Sequence, residues 1–157
     1  MVSPTQRPNT GRSASFADSV AGAGLVLQGP VVVTTGEVST GSVVFVDVPG
    51  VSVGPFNLGA VKNVEVHVLF TAKITGVDET EYFGINVDGV VTKMGFRQES
   101  PFNPAAERIE VVHLCLPIAA LASGNHTIKL QYRSGTGNAV YVESNADGPS
   151  QIWVTSA

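Results

Sequence analysis

Hydrophobic and polar residues alternate one by one along much of this chain, most clearly over residues 126–133. One side of that run holds His126, Ile128, Leu130 and Tyr132, and the positions between them are polar. Because a β-strand sends successive side chains to opposite faces, the pattern predicts a strand with one face in a core and one polar face. Residues 134–138 are rich in glycine and are expected to turn the chain into a hairpin, with 139–143 as the returning strand.

Similar patterns predict strands through the rest of the chain, at residues 25–27, 31–35, 42–48, 64–73, 82–87, 90–93, 109–116 and 151–155. Pro49-Gly50 is expected to close one of them, and Asp88-Gly89 is the signature of a type I′ hairpin turn. Residues 104–107 and 117–121 allow a turn but no long helix. Eight or more short strands at this spacing predict an all-β fold, and a two-sheet jelly-roll sandwich fits best.

The first residues of the chain differ from the rest. Residues 1–23 are dominated by small and polar residues without periodicity, and we predict that they form an extended N-terminal arm. Phe16, Val20 and Leu25 are the apolar positions expected to anchor this arm to another protein. Residues 24–157 are predicted to form a single β-sandwich domain, which is long enough to bury a core.

Low charge is the most informative feature of the composition. Charged residues make up 14% of the 157, well below the typical quarter, which favours a surface covered by other subunits. A net charge of −4 argues against nucleic-acid binding, which needs a basic patch. No apolar stretch is long enough to insert in a membrane, and the N-terminus does not resemble a secretory signal, so we expect synthesis in the cytoplasm.

Reactive side chains give little sign of catalysis. Cys115 lies in an apolar run and is expected to be a small buried residue, and His113 a core histidine with satisfied hydrogen bonds. His67 shares its predicted face with Glu65 and Lys73, which favours a solvent-facing or interface position. The acidic residues 78–81 are expected to form a solvated loop, with Ca²⁺ binding as the weaker alternative. We therefore expect no catalytic residue, no metal and no cofactor.

Aromatic residues leave two interpretations open. Trp153, Tyr82, Tyr132 and Tyr141 could stack on a sugar. Trp153, however, lies between Ile152 and Val154 in a terminal strand, where core or subunit packing is the stronger interpretation. Trp153, Tyr132 and Tyr141 are accordingly predicted to be packing or interface residues.

Residues 121–155 resemble the C-terminal strands of jelly-roll domains in tailed-bacteriophage structural proteins, which are similar to the tumour-necrosis-factor and C1q folds. The match rests on an alternating strand followed by a glycine-rich turn and a final strand. The matching residues are Gly124, His126, Thr127, Lys129, Leu130, Gln131, Tyr132 and Arg133. The loop at residues 145–149 and the N-terminal arm depart from the family pattern.

The resemblance implies a homotrimer on the virion, as a head decoration protein, a head fibre or a tail receptor-binding protein. A short chain with one arm and one domain suits capsid decoration best, with the major capsid protein or another virion protein as partner. The alternative is a tail-fibre or receptor-binding module that attaches to a host surface glycan. A small hydrolase is the weakest hypothesis, because no nucleophile–base pair is visible.

Overall fold

A computed structural model describes residues 26–34, 36–75, 80–99, 107–144 and 148–157. These residues are almost entirely β-strand and contain no helix, and consequently no helix able to cross a membrane. The strands are β1 (Val26–Val33), β2 (Gly36–Thr40), β3 (Val46–Leu58), β4 (Lys62–Thr75), β5 (Thr80–Val87), β6 (Val90–Glu99), β7 (Glu107–Leu121), β8 (Gly124–Ser134), β9 (Val140–Ser144) and β10 (Ser150–Ser156).

The first five strands pair with the last five in reverse order, as in one long hairpin that has been rolled up. β5 pairs with β6, β4 with β7, β3 with β8, β2 with β9 and β1 with β10, all antiparallel. Rolling places β3-β8-β5-β6 in a four-stranded sheet. The other six strands form the second sheet, in which β4 pairs with β7 on one side and with β10 and β9 on the other. This is the jelly-roll arrangement, so the predicted fold class is confirmed.

The core lies between the two sheets and is built from the inward-facing side chains of both. Phe70 on β4 and Phe83 on β5 meet there with ring centroids 4.6 Å apart. Ile128, Leu130 and Tyr132 face the same core from β8, as the alternating pattern predicts. Each such large apolar side chain stabilises the sandwich by roughly 1.5–3 kcal/mol through burial.

Three local predictions are wrong. Residues 134–143 do not form a hairpin, because β8 belongs to the four-stranded sheet and β9 to the six-stranded sheet. The turn instead crosses between the sheets, and the Ser134 hydroxyl accepts hydrogen bonds from the Thr136 and Gly137 amides there. Pro49-Gly50 does not end β3, which bulges and continues to Leu58. Residues 117–121 extend β7 and are not a turn.

The Asp88-Gly89 turn is confirmed. Asp88 has a φ of 53° and Gly89 a φ of 93°, the left-handed geometry that a two-residue hairpin requires, and they join β5 directly to β6. The Asp88 carboxylate also accepts hydrogen bonds from the Thr127 amide and the His126 ring. The predicted arm lies outside the described residues, and so do its proposed anchors Phe16, Val20 and Leu25.

Candidate functional site

The outer face of the six-stranded sheet carries a group of potentially reactive side chains that includes the metal-ligand cluster found among the described residues. In this sheet His67 on β4 lies between Trp153 on β10 and Cys115 on β7, in direct cross-strand register. Glu65 occupies the same face of β4 two residues earlier, because side chains alternate along a strand. His113 is two residues from Cys115 on β7. We call Glu65, His67, His113, Cys115 and Trp153 the outer-face cluster.

Three rings of the cluster stack. His67 lies 5.0 Å from Trp153 between ring centroids, with the two planes only 4° apart. His113 lies 5.8 Å from His67 and 5.7 Å from Trp153, also nearly parallel. Trp153 is the only tryptophan of the chain, so its fluorescence reports on this site alone.

The ring of His67 is half-buried, and its two nitrogens differ. Nε2 lies 3.2 Å from the Thr155 hydroxyl and 3.8 Å from a Glu65 carboxylate oxygen. Nδ1 is buried and has no hydrogen-bond partner among the described residues. Burial lowers the pKa of His67; the charge of Glu65 opposes this change and that of His113 adds to it. The ring is therefore neutral at pH 7.

Cys115 is exposed, and its thiol is not activated. Although the residue is exposed, partial burial of its sulfur by its neighbours raises the pKa of the thiol, and the charge of Glu65 and a hydrogen bond to the Glu65 carboxylate raise it further. A nucleophilic cysteine needs the opposite change. The donor atoms of Glu65, His67 and Cys115 nevertheless all lie within 4.8 Å of one another. A carboxylate, an imidazole and a thiol at this spacing are metal-binding groups.

Apolar and ionic side chains lie next to each other beyond one end of the cluster, because Lys73 on β4 is opposite Ile109 on β7. Further along β7, Val111 and Ile109 are large apolar side chains with 76% and 54% of their surface exposed. Across the sheet, Lys73 makes ion pairs with Glu37 and with Glu143, the latter at 3.5 Å, and its ammonium lies 4.8 Å from the centre of the Tyr141 ring. An ionic group on β2, β4 and β9 therefore lies beside the exposed apolar side chains of the edge strand β7.

Only part of this cluster lies where the alternating pattern predicts. His67 is on the outer face as predicted, but the predictions of a buried Cys115 and a core His113 are wrong. Val112 and Leu114 take the inward positions of β7, which leaves the odd-numbered residues outside. The sequence indicates no metal site at these residues, so it does not predict that the donor atoms of Glu65, His67 and Cys115 lie within 4.8 Å of one another. One signal in the sequence could have indicated this grouping. Glu65 and His67 are two residues apart on one predicted strand, and His113 and Cys115 are two residues apart on another, so each pair must share a face of its strand.

The structure does not bring the four predicted sugar-stacking aromatic residues together. Trp153 and Tyr141 are half-buried on the six-stranded sheet, as described above. Tyr132 is only 2% exposed and packs inside the core, so it does not lie at a surface. Tyr82 belongs to the four-stranded sheet, beneath the Arg133 guanidinium at 3.8 Å.

The predicted acidic loop is also different. Glu81 is fully buried on β5, so its assignment to a solvated loop is wrong, whereas residues 78 and 79 lie outside the described part of the chain.

Comparisons with known proteins identify no family. No protein-family model and no curated protein matches this sequence. Among solved structures, dimeric latent PorU from Porphyromonas gingivalis is similar over 85% of this chain and 12% of its own, with a TM-score of 0.45 and 14% identity. VP2 of infectious bursal disease virus, in a mutant form assembled as T=1 particles, matches 82% of this chain and 31% of its own, with a TM-score of 0.46 and 12% identity.

A structure of the Gx strain of infectious bursal disease virus matches 86% of this chain and 35% of its own, with a TM-score of 0.35 and 11% identity. Structural neighbours of this chain thus include viral capsid proteins. The chain spans about a third or less of the length of these proteins, and TM-scores below 0.5 carry no information about its function.

Proposed function

We propose that the protein is a non-enzymatic structural protein of a virion, made in the host cytoplasm. In this proposal the jelly roll assembles as a homotrimer that decorates and stabilises a bacteriophage capsid. The N-terminal arm, residues 1–23, anchors it to the major capsid protein or another virion protein. Phe16, Val20 and Leu25 are the proposed apolar anchors.

The exposed apolar edge of the six-stranded sheet is the observation that carries this proposal. β7 pairs only with β4, so no described strand covers its other edge. The same strand exposes Val111 and Ile109. Edge strands and apolar patches of this kind are places where proteins associate, and a chain with 14% charged residues has few charges to oppose it.

Light scattering on the purified full-length protein tests the assembly step. A mass three times that of the 157-residue chain is expected at micromolar concentration, because covering the apolar edge stabilises the oligomer. A protein that stays monomeric at all accessible concentrations would contradict the proposal.

Removal of the arm tests the anchoring step. A chain that starts at residue 24 is expected to keep its oligomeric mass but to lose binding to capsids that lack the protein. The full-length chain is the control in the same sedimentation assay. Full binding by the shortened chain would show that the anchor lies elsewhere.

Attachment to a host surface glycan is the second candidate, and the stack of Trp153 on His67 favours it. Aromatic rings on an accessible sheet face are common platforms for sugars. Binding of the protein to a glycan array that is lost in Trp153→Ala, without loss of folding, would support this function over decoration.

A further inference from the structure

We propose that Glu65, His67 and Cys115 form a binding site for one zinc ion on the outer face of the six-stranded sheet. This site does not depend on the virion role. It follows from the register of β4 and β7, which places His67 and Cys115 opposite each other, and from the strand alternation that puts Glu65 on the same face.

The distances are close to those that zinc requires. Zinc bonds of about 2.0–2.3 Å in a tetrahedral site separate neighbouring donor atoms by roughly 3.3–3.8 Å. His67 Nε2 and Glu65 Oε2 are already 3.8 Å apart, and all three donors lie within 4.8 Å of one another. The Glu65 side chain is 39% exposed, so a change of its rotamer can close the remaining distance without disturbing the core.

The donor set selects the class of metal. Thiolate, imidazole and carboxylate are all zinc ligands, whereas Ca²⁺ and Mg²⁺ prefer oxygen donors alone. Three protein ligands leave the fourth coordination position for water or an incoming group. The Nε2 atom of His67 is the nitrogen that faces Glu65, so it is the proposed zinc donor of the imidazole.

Binding of the metal changes the protonation of Cys115. An ordinary thiol carries its proton at neutral pH, and the Cys115 thiol donates it in a hydrogen bond to Glu65. Formation of the zinc–sulfur bond breaks the S–H bond and releases that proton to solvent, while the Glu65 carboxylate turns from the thiol to the metal. One proton is therefore released for each zinc ion bound.

Titration of the metal-free, full-length protein in a phosphine-reduced buffer tests the site. Zn²⁺ is expected to change the Trp153 fluorescence and to saturate at one equivalent, because Trp153 stacks on His67 at 5.0 Å. Co²⁺ is expected to give tetrahedral ligand-field bands and a thiolate charge-transfer band. Zn²⁺ affinity, measured against a chromophoric chelator, is expected to fall more than about 100-fold in Cys115→Ser and in His67→Gln, beyond the usual loss from a supporting residue.

His113→Ala is the matched control, since His113 lies on the same face and stacks on the same rings but is not one of the three proposed donors. It should keep one-equivalent binding and the charge-transfer band, and circular dichroism should show that every variant is folded. No saturable binding in the wild-type protein overturns the proposal. Binding that depends on Cys115 but survives His67→Gln and Glu65→Gln would reveal an adventitious thiol–metal contact only, and loss of binding in His113→Ala would overturn the three-residue assignment.

Discussion

The two sheets of the sandwich present very different outer faces. On the four-stranded sheet, Asp47 accepts hydrogen bonds from Lys129 and Gln131, both at 2.6 Å, and the Arg133 guanidinium stacks on Tyr82. Polar groups there find partners within their own sheet. The six-stranded sheet also holds ion pairs, which Lys73 makes with Glu37 and Glu143, but its edge strand β7 exposes Ile109, Val111, His113 and Cys115. These side chains are apolar or able to bind a metal.

This difference indicates which side of the molecule binds other molecules. A region whose ion pairs are already formed, such as Asp47 with Lys129 or Lys73 with Glu143, gains little from a partner, because those groups must be desolvated before they make new contacts. The four-stranded sheet exposes Val90 at a hairpin turn, whereas β7 exposes Val111 and Ile109 in a row along an edge strand, which gains free energy when it is covered. Both the proposed self-association and the proposed metal site therefore lie on the six-stranded sheet.

The largest expected effect is on the core that both faces share. Phe83→Ala removes a fully buried ring that contacts Phe70, so we expect the free energy of unfolding to fall by about 3–5 kcal/mol. Urea denaturation followed by circular dichroism measures this change. Val90→Ala, at an exposed position of β6, is the control and should change stability by less than about 0.5 kcal/mol. Equal effects of the two substitutions would show that Phe83 is not in the core.

The next largest effect on stability is expected at His126 on β8, beside the turn between β5 and β6. The His126 side chain is 7% exposed, and its nitrogens lie 2.7 Å from the Asp88 carboxylate and 2.8 Å from the Ala122 carbonyl oxygen. Because both partners are acceptors, they favour the protonated ring. We expect His126→Gln to lower the free energy of unfolding by roughly 2 kcal/mol at pH 6, as for hydrogen bonds to charged groups. Thermal denaturation of the two proteins provides the comparison.

The same pair predicts a pH dependence. The hydrogen bond with Asp88 raises the pKa of His126; burial opposes it, and the Ala122 carbonyl adds to it. Stabilisation by His126 is therefore complete below its unfolded pKa of about 6.5 and is lost as the pH rises through the higher folded pKa. Burial acts to raise the pKa of Asp88, but its bonds to Thr127 and His126 outweigh burial and lower it. The Asp88 contribution thus persists until the pH falls below about 4. A His126→Gln protein with the same alkaline decline would contradict this assignment.

The alternating pattern predicts the outer face of the four-stranded sheet on β8, but it does not predict the outer face of the six-stranded sheet on β7. β8 alternates apolar and polar residues, so its inward and outward sides could be predicted correctly. In β7 both sides are apolar around Val111 and Val112, and the pattern cannot tell which side the second sheet covers. For that reason the pattern predicts Cys115 and His113 in the core, although both lie on the outer face. Their meeting with Glu65 and His67 depends on the pairing of distant strands, which local alternation does not specify.

A smaller effect is expected on the polar outer face. The hydrogen bond from Lys129 is the main cause that lowers the pKa of Asp47, although burial opposes it and Gln131 adds to it. Both Asp47 and Lys129 are more than a third exposed, so water and salt weaken their ion pair. We expect Asp47→Asn to cost less than about 1 kcal/mol. Denaturation at low and high salt measures it, and the difference from wild type should shrink as the pH falls below about 3.9, where the unfolded Asp47 is protonated.

Substitution of Val111 on β7 should have the smallest effect on the stability of the monomer but the largest effect on formation of the oligomer. Val111→Lys replaces a side chain that is 76% exposed, so the free energy of unfolding of the monomer should change by less than about 0.5 kcal/mol. If copies of the protein associate through β7, however, each new lysine must be desolvated at the interface, and light scattering should show a monomer. Val90→Lys, a matched change at a position that is 66% exposed on the other sheet, should leave the oligomer intact. An oligomer that tolerates Val111→Lys but dissociates with Val90→Lys would reverse the comparison between the two faces, because the four-stranded sheet would then be the side that associates.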